Sequence, residues 1–294
     1  MRYSINHTTQ YQYSNPVTLC HNEAHLLPRS LSRQRCLDAR LYVQPTPAVY
    51  HERKDFFGNR VVYFSIEEPH STLAVTASSE MEMSSLALPD VQATPMWEEV
   101  QQLLRQGVNR GALEARQFLL DSPMVTASAL FAAYAMEIFT PGRPLLLATQ
   151  ELTRRIFTEF TYDLEFTTVA TPVDEVFAHK RGVCQDFAHF AIACLRSLGL
   201  AARYVSGYLE TLPVADQPQL IGTAASHAWM SVYCPELGWV DFDPTNDLMP
   251  SDRHIIVAWG RDYSDVTPLK GTILGGGEHE LKVEVEVRKV EERE

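Results

Sequence analysis

Residues 181–200, RGVCQDFAHFAIACLRSLGL, set a cysteine directly after a Gly-Val turn, at the first residue of an amphipathic helix. Counting about 100° per residue from Cys184, an apolar stripe takes in Phe187, Ala188, Ala191, Leu195 and Leu198. Asp186, His189, Arg196 and Ser197 fall mostly on the other side. Cys184 points inward with the stripe, its two alanines let a neighbouring element approach closely, and Gly199 supplies a C-terminal stop. A cysteine within a helix is ordinarily a small core hydrophobe. One at a helix N-terminus faces unpaired backbone N–H groups and the positive dipole end, which favour the thiolate. On this helix alone, a nucleophile and an inert core thiol stay equally open.

Composition narrows the setting. A chain of 294 residues with 45% hydrophobic residues can bury a substantial core, as two domains or one large one with an appendage. With 37 acidic against 25 basic residues the formal charge is -12, which argues against nucleic acid and against an anionic membrane surface as partners. The start, MRYSINHTTQYQYS, has no signal-type apolar run, and ASALFAAYAM (residues 127–136) is too short to span a bilayer, so a cytoplasmic location is expected. Five cysteines, Cys20, Cys36, Cys184, Cys194 and Cys234, are odd in number and scattered, which is not a disulfide framework.

Periodicity divides the chain. Through residues 1–88, β-branched and aromatic residues alternate with polar ones at 2–14, 38–47, 60–68 and 71–83, predicting a β-rich N-terminal domain. Residues 89–294 form the second domain. It opens with helical periodicity at 96–105, 112–120, 127–139 and 145–160, broken at Ser122-Pro123 and Pro141-Gly142. After the Cys184 helix come strands at 201–212, 227–234, 239–243, 254–260 and 280–290. Gly275-Gly276-Gly277 reads as a turn rather than a phosphate loop. The class is α+β.

A nucleophilic thiol needs a base within reach and a group to orient that base. Of the ten histidines, His7, His51, His70 and His279 sit in polar or edge contexts, His179 lies in a loop, His189 faces away from Cys184, and His254 opens an apolar strand as a packed residue. His21 and His25, in HNEAH, lack a third ligand, so no metal and no cofactor are expected. His227 differs by its company, SHAWMSVYCPELGWVDFDPTN. Two strands flank a Pro-Glu-Leu-Gly turn, and pairing Tyr233 with Trp239 sets Asp241 opposite Ser231 and Asp243 diagonal to His227.

These residues carry a resemblance. GVCQDFAH, then His227-Ala-Trp, then the Asp243 of W-V-D-F-D-P-T look like the Cys-His-Asp core of the bacterial transglutaminase-like superfamily, over about residues 162–271. The β-rich start is similar to the domain that precedes this core in bacterial members. The resemblance implies a papain-like arrangement, with the cysteine helix packed on an antiparallel sheet bearing histidine and aspartate. It puts the nucleophile on Cys184, the base on His227 and the orienting carboxylate on Asp243. Relatives often carry an acidic residue where this chain has Ala224, which bears on an accessory substrate contact. The implied reaction is acyl transfer at a peptide, isopeptide or related amide through a thioester, resolved by water. Oxyanion donors would be the Cys184 N–H with Gln185 or Tyr162, and Arg261 and Asp262 would fix a loop. Amine transfer, a non-catalytic binding module and an arylamine acetyltransferase-like enzyme are the alternatives. The last usually has Arg-Gly-Gly-x-Cys where Arg181-Gly182-Val183-Cys184 stands here.

Overall fold

The computed structural model describes every residue except 86, 108, 211–219, 223–225 and 291–294. Five strands open the chain: β1 (Arg2–Ala24), β2 (Gln34–Gln44), β3 (Val49–Lys54), β4 (Arg60–Ile66) and β5 (His70–Met83). Helices α1 (Trp97–Gln106), α2 (Arg110–Ala115), α3 (Ala129–Met136) and α4 (Leu145–Glu159) follow. A two-residue strand, β6 (Thr161–Tyr162), pairs in parallel with β7 (Arg181–Gly182) across α5 (Val173–His179). Next come α6 (Cys184–Ser197), β8 (Ala202–Leu209), β9 (His227–Cys234), β10 (Gly238–Phe242), β11 (His254–Gly260), β12 (Leu269–Gly275) and β13 (His279–Val290).

Two antiparallel sheets organise these elements. The first runs β2-β5-β1-β4-β3, with β12 and β13 also on β1; the second runs β10-β9-β8-β11. In β1 the period-2 alternation turns Tyr3, Ile5, His7 and Thr9 inward. Its first half lies between β5 and β13, and its second half between β4 and β12, with register irregularities where one half gives way to the other. The strands at 280–290, grouped by periodicity with the second domain, therefore complete the first sheet. Strands β3 and β12 and helix α5 had no counterpart in the sequence reading. The Gly275-Gly276-Gly277 stretch is the turn between β12 and β13, with all three residues at positive φ.

Helix α6 packs on β8 and β9 and is flanked by α3, α4 and α5. The stripe from Phe187 to Leu198 is buried as its spacing predicts, but the opposite side is buried too. There, protein groups replace water as partners. Arg196 donates to the carbonyls of Ala202, Leu120 and Arg261 and to Ser122 Oγ. His189, whose pKa burial pushes down to about 4, is the neutral acceptor for the Tyr263 N–H at 3.1 Å. Asp262 accepts from the Met124 N–H at 2.7 Å, and Arg261 pairs with Asp265 at 2.9 Å.

The return of β13 generates a paired test on one strand face. Val287 is fully buried, whereas Val283 is 39% exposed. Val287→Asp should cost about 3 kcal/mol or more in urea unfolding, because it buries an unpaired carboxylate. Val283→Asp should cost under about 1 kcal/mol. Equal effects would mean that β13 does not dock as described.

Candidate active site

The N-terminus of α6 is held from both sides. Asp186 accepts the Val183 N–H at 2.8 Å and the Thr167 hydroxyl at 2.7 Å, closing a cap over the first turn. Burial raises the Asp186 pKa, with these two donors acting against it. The cap needs Gly182, because a Cβ there would sit 2.6 Å from Asp186 Oδ2. Cys184 follows as the first helical residue, half-buried, with a backbone N–H that has no acceptor within its own helix.

His227 and Asp243 arrive from the β9-β10 hairpin. Its register pairs Trp239 with Tyr233 and Asp241 with Ser231, as the sequence reading had it. Asp243 then lies just past β10, in a bridge with Leu248 that closes the Asp-Pro-Thr-Asn turn. His227 Nε2 donates to Asp243 Oδ2 at 2.8 Å, and both side chains are fully buried. That leaves Nδ1 as the nitrogen available to Cys184, whose thiol acts on this imidazole. Nδ1 makes no standard hydrogen bond among the described residues. Cys184 therefore acts on the imidazole from outside standard hydrogen-bond geometry.

Charge reinforces the geometry. Burial pulls the His227 pKa down, but Asp243 and Cys184 more than offset it and push it up to about 10. Burial likewise opposes the Asp243 charge, while His227 and His254 hold its pKa far below the usual carboxylate range. The imidazolium contributes stability fully below its ordinary 6.5 and loses it as pH rises through about 10. The aspartate's contribution is present above its ordinary 3.8 and fades only as pH falls through the depressed value. The pair thus stays charged across the neutral range.

Two further residues complete the carboxylate, and the sequence reading had assigned neither to the site. His254 Nε2 reaches Asp243 Oδ2 at 3.1 Å, and Asn246 Nδ2 reaches the same oxygen at 2.8 Å; the Thr245 N–H donates to Oδ1 at 2.9 Å. The signal for Asn246 was its place in Asp-Pro-Thr-Asn. For His254 it was only a polar residue opening an apolar strand. His254 is buried, as expected of a packed residue, but it also donates into the site. Asn246 Oδ1 in turn accepts the Ile221 N–H at 2.7 Å, which brings Gly222 over His227. At φ 91° Gly222 adopts a conformation that L residues rarely take, and a Cβ there would stand 2.6 Å from Nδ1. Ala224 lies outside the described residues.

The remaining candidates separate. Tyr162 lies edge-on to Phe187 with ring centroids 6.3 Å apart. Burial, then the charges of Cys184, Asp186 and Asp243, push its phenol pKa up, so its hydroxyl keeps the proton. Gln185 instead donates its amide to Val169 O at 3.2 Å. Asp241 is bonded to Ser231 and Arg33, away from His227. His21 lies near the end of β1 and His25 just past it, not on a helix, and they bond to Tyr63 and to the Thr267 carbonyl. Among the described residues, His227, Asp243 and His254 are the set whose ligand atoms, within 4.8 Å of one another, could reach one metal ion. Both imidazoles already direct Nε2 to one carboxylate oxygen, the pattern of a hydrogen-bonded charge network.

Residues 3–82 match the family described as the bacterial transglutaminase-like N-terminal region, and residues 132–244 match the transglutaminase-like superfamily. An uncharacterized protein of Mycobacterium tuberculosis is 41% identical over 95% of this chain and 90% of its own length. One from Mycobacterium leprae is 35% identical over 98% and 99%. A protein-glutamine gamma-glutamyltransferase of Pseudomonas aeruginosa is 33% identical over 37% of this chain and 17% of its own. The crystal structure of a candidate cysteine protease from Cytophaga hutchinsonii shares the fold, with a TM-score of 0.78 over 100% of this chain and 92% of that one at 21% identity. With the cysteine helix, the histidine strand and the aspartate turn assembled behind a matching β-rich region, the chain belongs to the transglutaminase-like superfamily.

Proposed function

We propose that this protein is a thiol-dependent acyl-transfer enzyme that hydrolyses a peptide, isopeptide or related amide, with Cys184 as nucleophile, His227 as base and acid, and Asp243 as the orienting carboxylate. The observation that carries this reading is the buried Asp243–His227 pair. It holds one imidazole nitrogen and leaves the other for a thiol at a helix N-terminus.

The Cys184 thiolate attacks the amide carbonyl carbon. The tetrahedral oxygen is met by the Cys184 backbone N–H, with the Tyr162 hydroxyl as the second donor. Collapse breaks the C–N bond, and the imidazolium gives its proton to the departing amine. A water then loses a proton to His227 as its oxygen adds to the thioester, and breakage of the C–S bond returns the acid and the thiolate. The match to the Pseudomonas glutamyltransferase favours a second reading in which an amine replaces water in this step. A glutamine peptide incubated with dansylcadaverine separates the two. Free acid and ammonia as the main products support hydrolysis, and a dansyl adduct as the main product overturns it.

Three outcomes test the roles. Cys184→Ala should lower turnover about 10³-fold or more. Cys194→Ala and Cys234→Ala should not, since burial raises both of those thiols and keeps them protonated. Equal loss in all three soluble variants would reject the nucleophile.

An imidazolium that persists to about pH 10 keeps a positive charge beside the thiol at pH 6.5. Iodoacetamide should therefore alkylate Cys184 about tenfold more slowly in His227→Ala, by mass spectrometry of the modified peptide. Unchanged rates would remove His227 as the partner.

Loss of the orienting carboxylate in Asp243→Ala should cost on the order of 10² to 10⁴ in turnover. Asp241→Ala, corrected for folded fraction, should stay near wild type, because Asp241 serves Ser231 and Arg33 instead. The reverse order would reassign the carboxylate.

A further inference from the structure

Arg203, in β8, stands opposite Ser231 of β9, and Asp241 of β10 stands opposite the same serine. The arginine side chain is buried at 6% exposure. Its guanidinium carbon lies 3.8 Å from the Trp259 ring centroid and 4.4 Å from that of Trp239, so indoles cover it on two sides. Asp241, the carboxylate whose charge acts on it, is spent on the Arg33 guanidinium and the Ser231 hydroxyl. Among the described residues no hydrogen bond or ion pair reaches the Arg203 guanidinium, and its Nε is sealed from solvent without a partner. Arg196, comparably buried, makes five hydrogen bonds. A buried charge left without an acceptor is costly, and the acceptor Arg203 lacks is an anion.

There is room for one. Arg203 lines a cavity of about 520 Å³ between the second sheet and the N-terminal region, walled by Leu31, Trp239, Met249 and Trp259, and Cys184 is not part of it. Volumes of this order hold small organic ligands. The other cation on the wall is already engaged, which leaves Arg203 as the open one. Arg33 is paired with Asp241, and the half-buried Asp252 accepts from Ser251 at 3.2 Å. With indoles over the guanidinium, its edge is what remains for a ligand, and an edge-on approach suits a planar carboxylate better than a tetrahedral phosphate.

We propose that this cavity is a second binding site, separate from Cys184, for a small organic carboxylate whose charged end forks onto Arg203 between Trp239 and Trp259 and whose apolar body lies against Leu31 and Met249. The full-length protein is titrated with hexanoate and 4-phenylbutyrate, with the matching neutral amides and with inorganic phosphate, following indole fluorescence and thermal unfolding. At least one carboxylate should saturate with a Kd of about 1 mM or tighter and raise the melting temperature, while its amide does neither. Arg203→Gln should abolish the effect and Arg203→Lys should weaken it about tenfold, since lysine keeps the charge but not the fork. Cys184→Ala should leave it unchanged. If Arg203→Gln does not fold, the contrast of acid with amide on the wild-type protein still decides. The site is overturned if acids and amides act alike, if no acid saturates, or if Arg203→Gln still binds; tighter binding of phosphate overturns the carboxylate assignment.

Discussion

The Asp243 carboxylate is the constraint on which the rest of this structure turns. It is fully buried and still ionised, a state that survives only where donors replace water. Four converge on it, from β9, from β11, and from the side chain and backbone of its own turn. Each donor dictates local structure. The histidine fixes the hairpin register, because a one-residue slip would turn it to the other face of the sheet. Asn246 holds residues 221 and 222 above the imidazole, and His254 ties the far edge strand to the same oxygen. Packing and site chemistry are here one requirement.

Much of the candidate site's layout was legible in the sequence, for a physical reason: its residues sit at positions that periodicity locates. A cysteine after a turn marks a helix start, and alternation in two short strands around a tight turn allows few registers. The Trp239 to Tyr233 pairing, one of those few, is the register the hairpin adopts. His254 and Asn246 left no such trace. A buried imidazole that donates to a carboxylate and one that merely packs look alike in a string of letters, and only the fold shows where the second nitrogen points. The polar side of α6 is a different case. Spacing sets Arg196 and His189 opposite the apolar stripe but does not show that backbone carbonyls and an N–H from other elements meet them there and let them be buried.

The strands that complete the first sheet escaped the reading for a topological reason. Alternation at 280–290 identifies a strand with one polar face but not its neighbour, and proximity in sequence grouped it with the second domain. Instead β12 and β13 return to β1, so the central strand of the N-terminal region is flanked by the earliest and the latest strands of the chain. Tyr3, Ile5, Met81, Met83 and Val287 consequently share one core with α6 and the second sheet. The two regions are joined through their hydrophobic interiors as well as through the chain.

That arrangement bears on how the protein is made. During synthesis β1 emerges first, and only one flank of its first half can be covered when β5 follows. The other flank stays bare until residues 279–290 leave the ribosome, after the entire second sheet. A long unpaired strand edge in a nascent chain is an invitation to pair wrongly, with another ribosome's product or with the wrong strand of its own. The alternation of charged and aliphatic residues from Glu280 to Arg288 in β13 suits a latecomer to that vacancy: soluble while it waits, and complementary once the partner strand is in place.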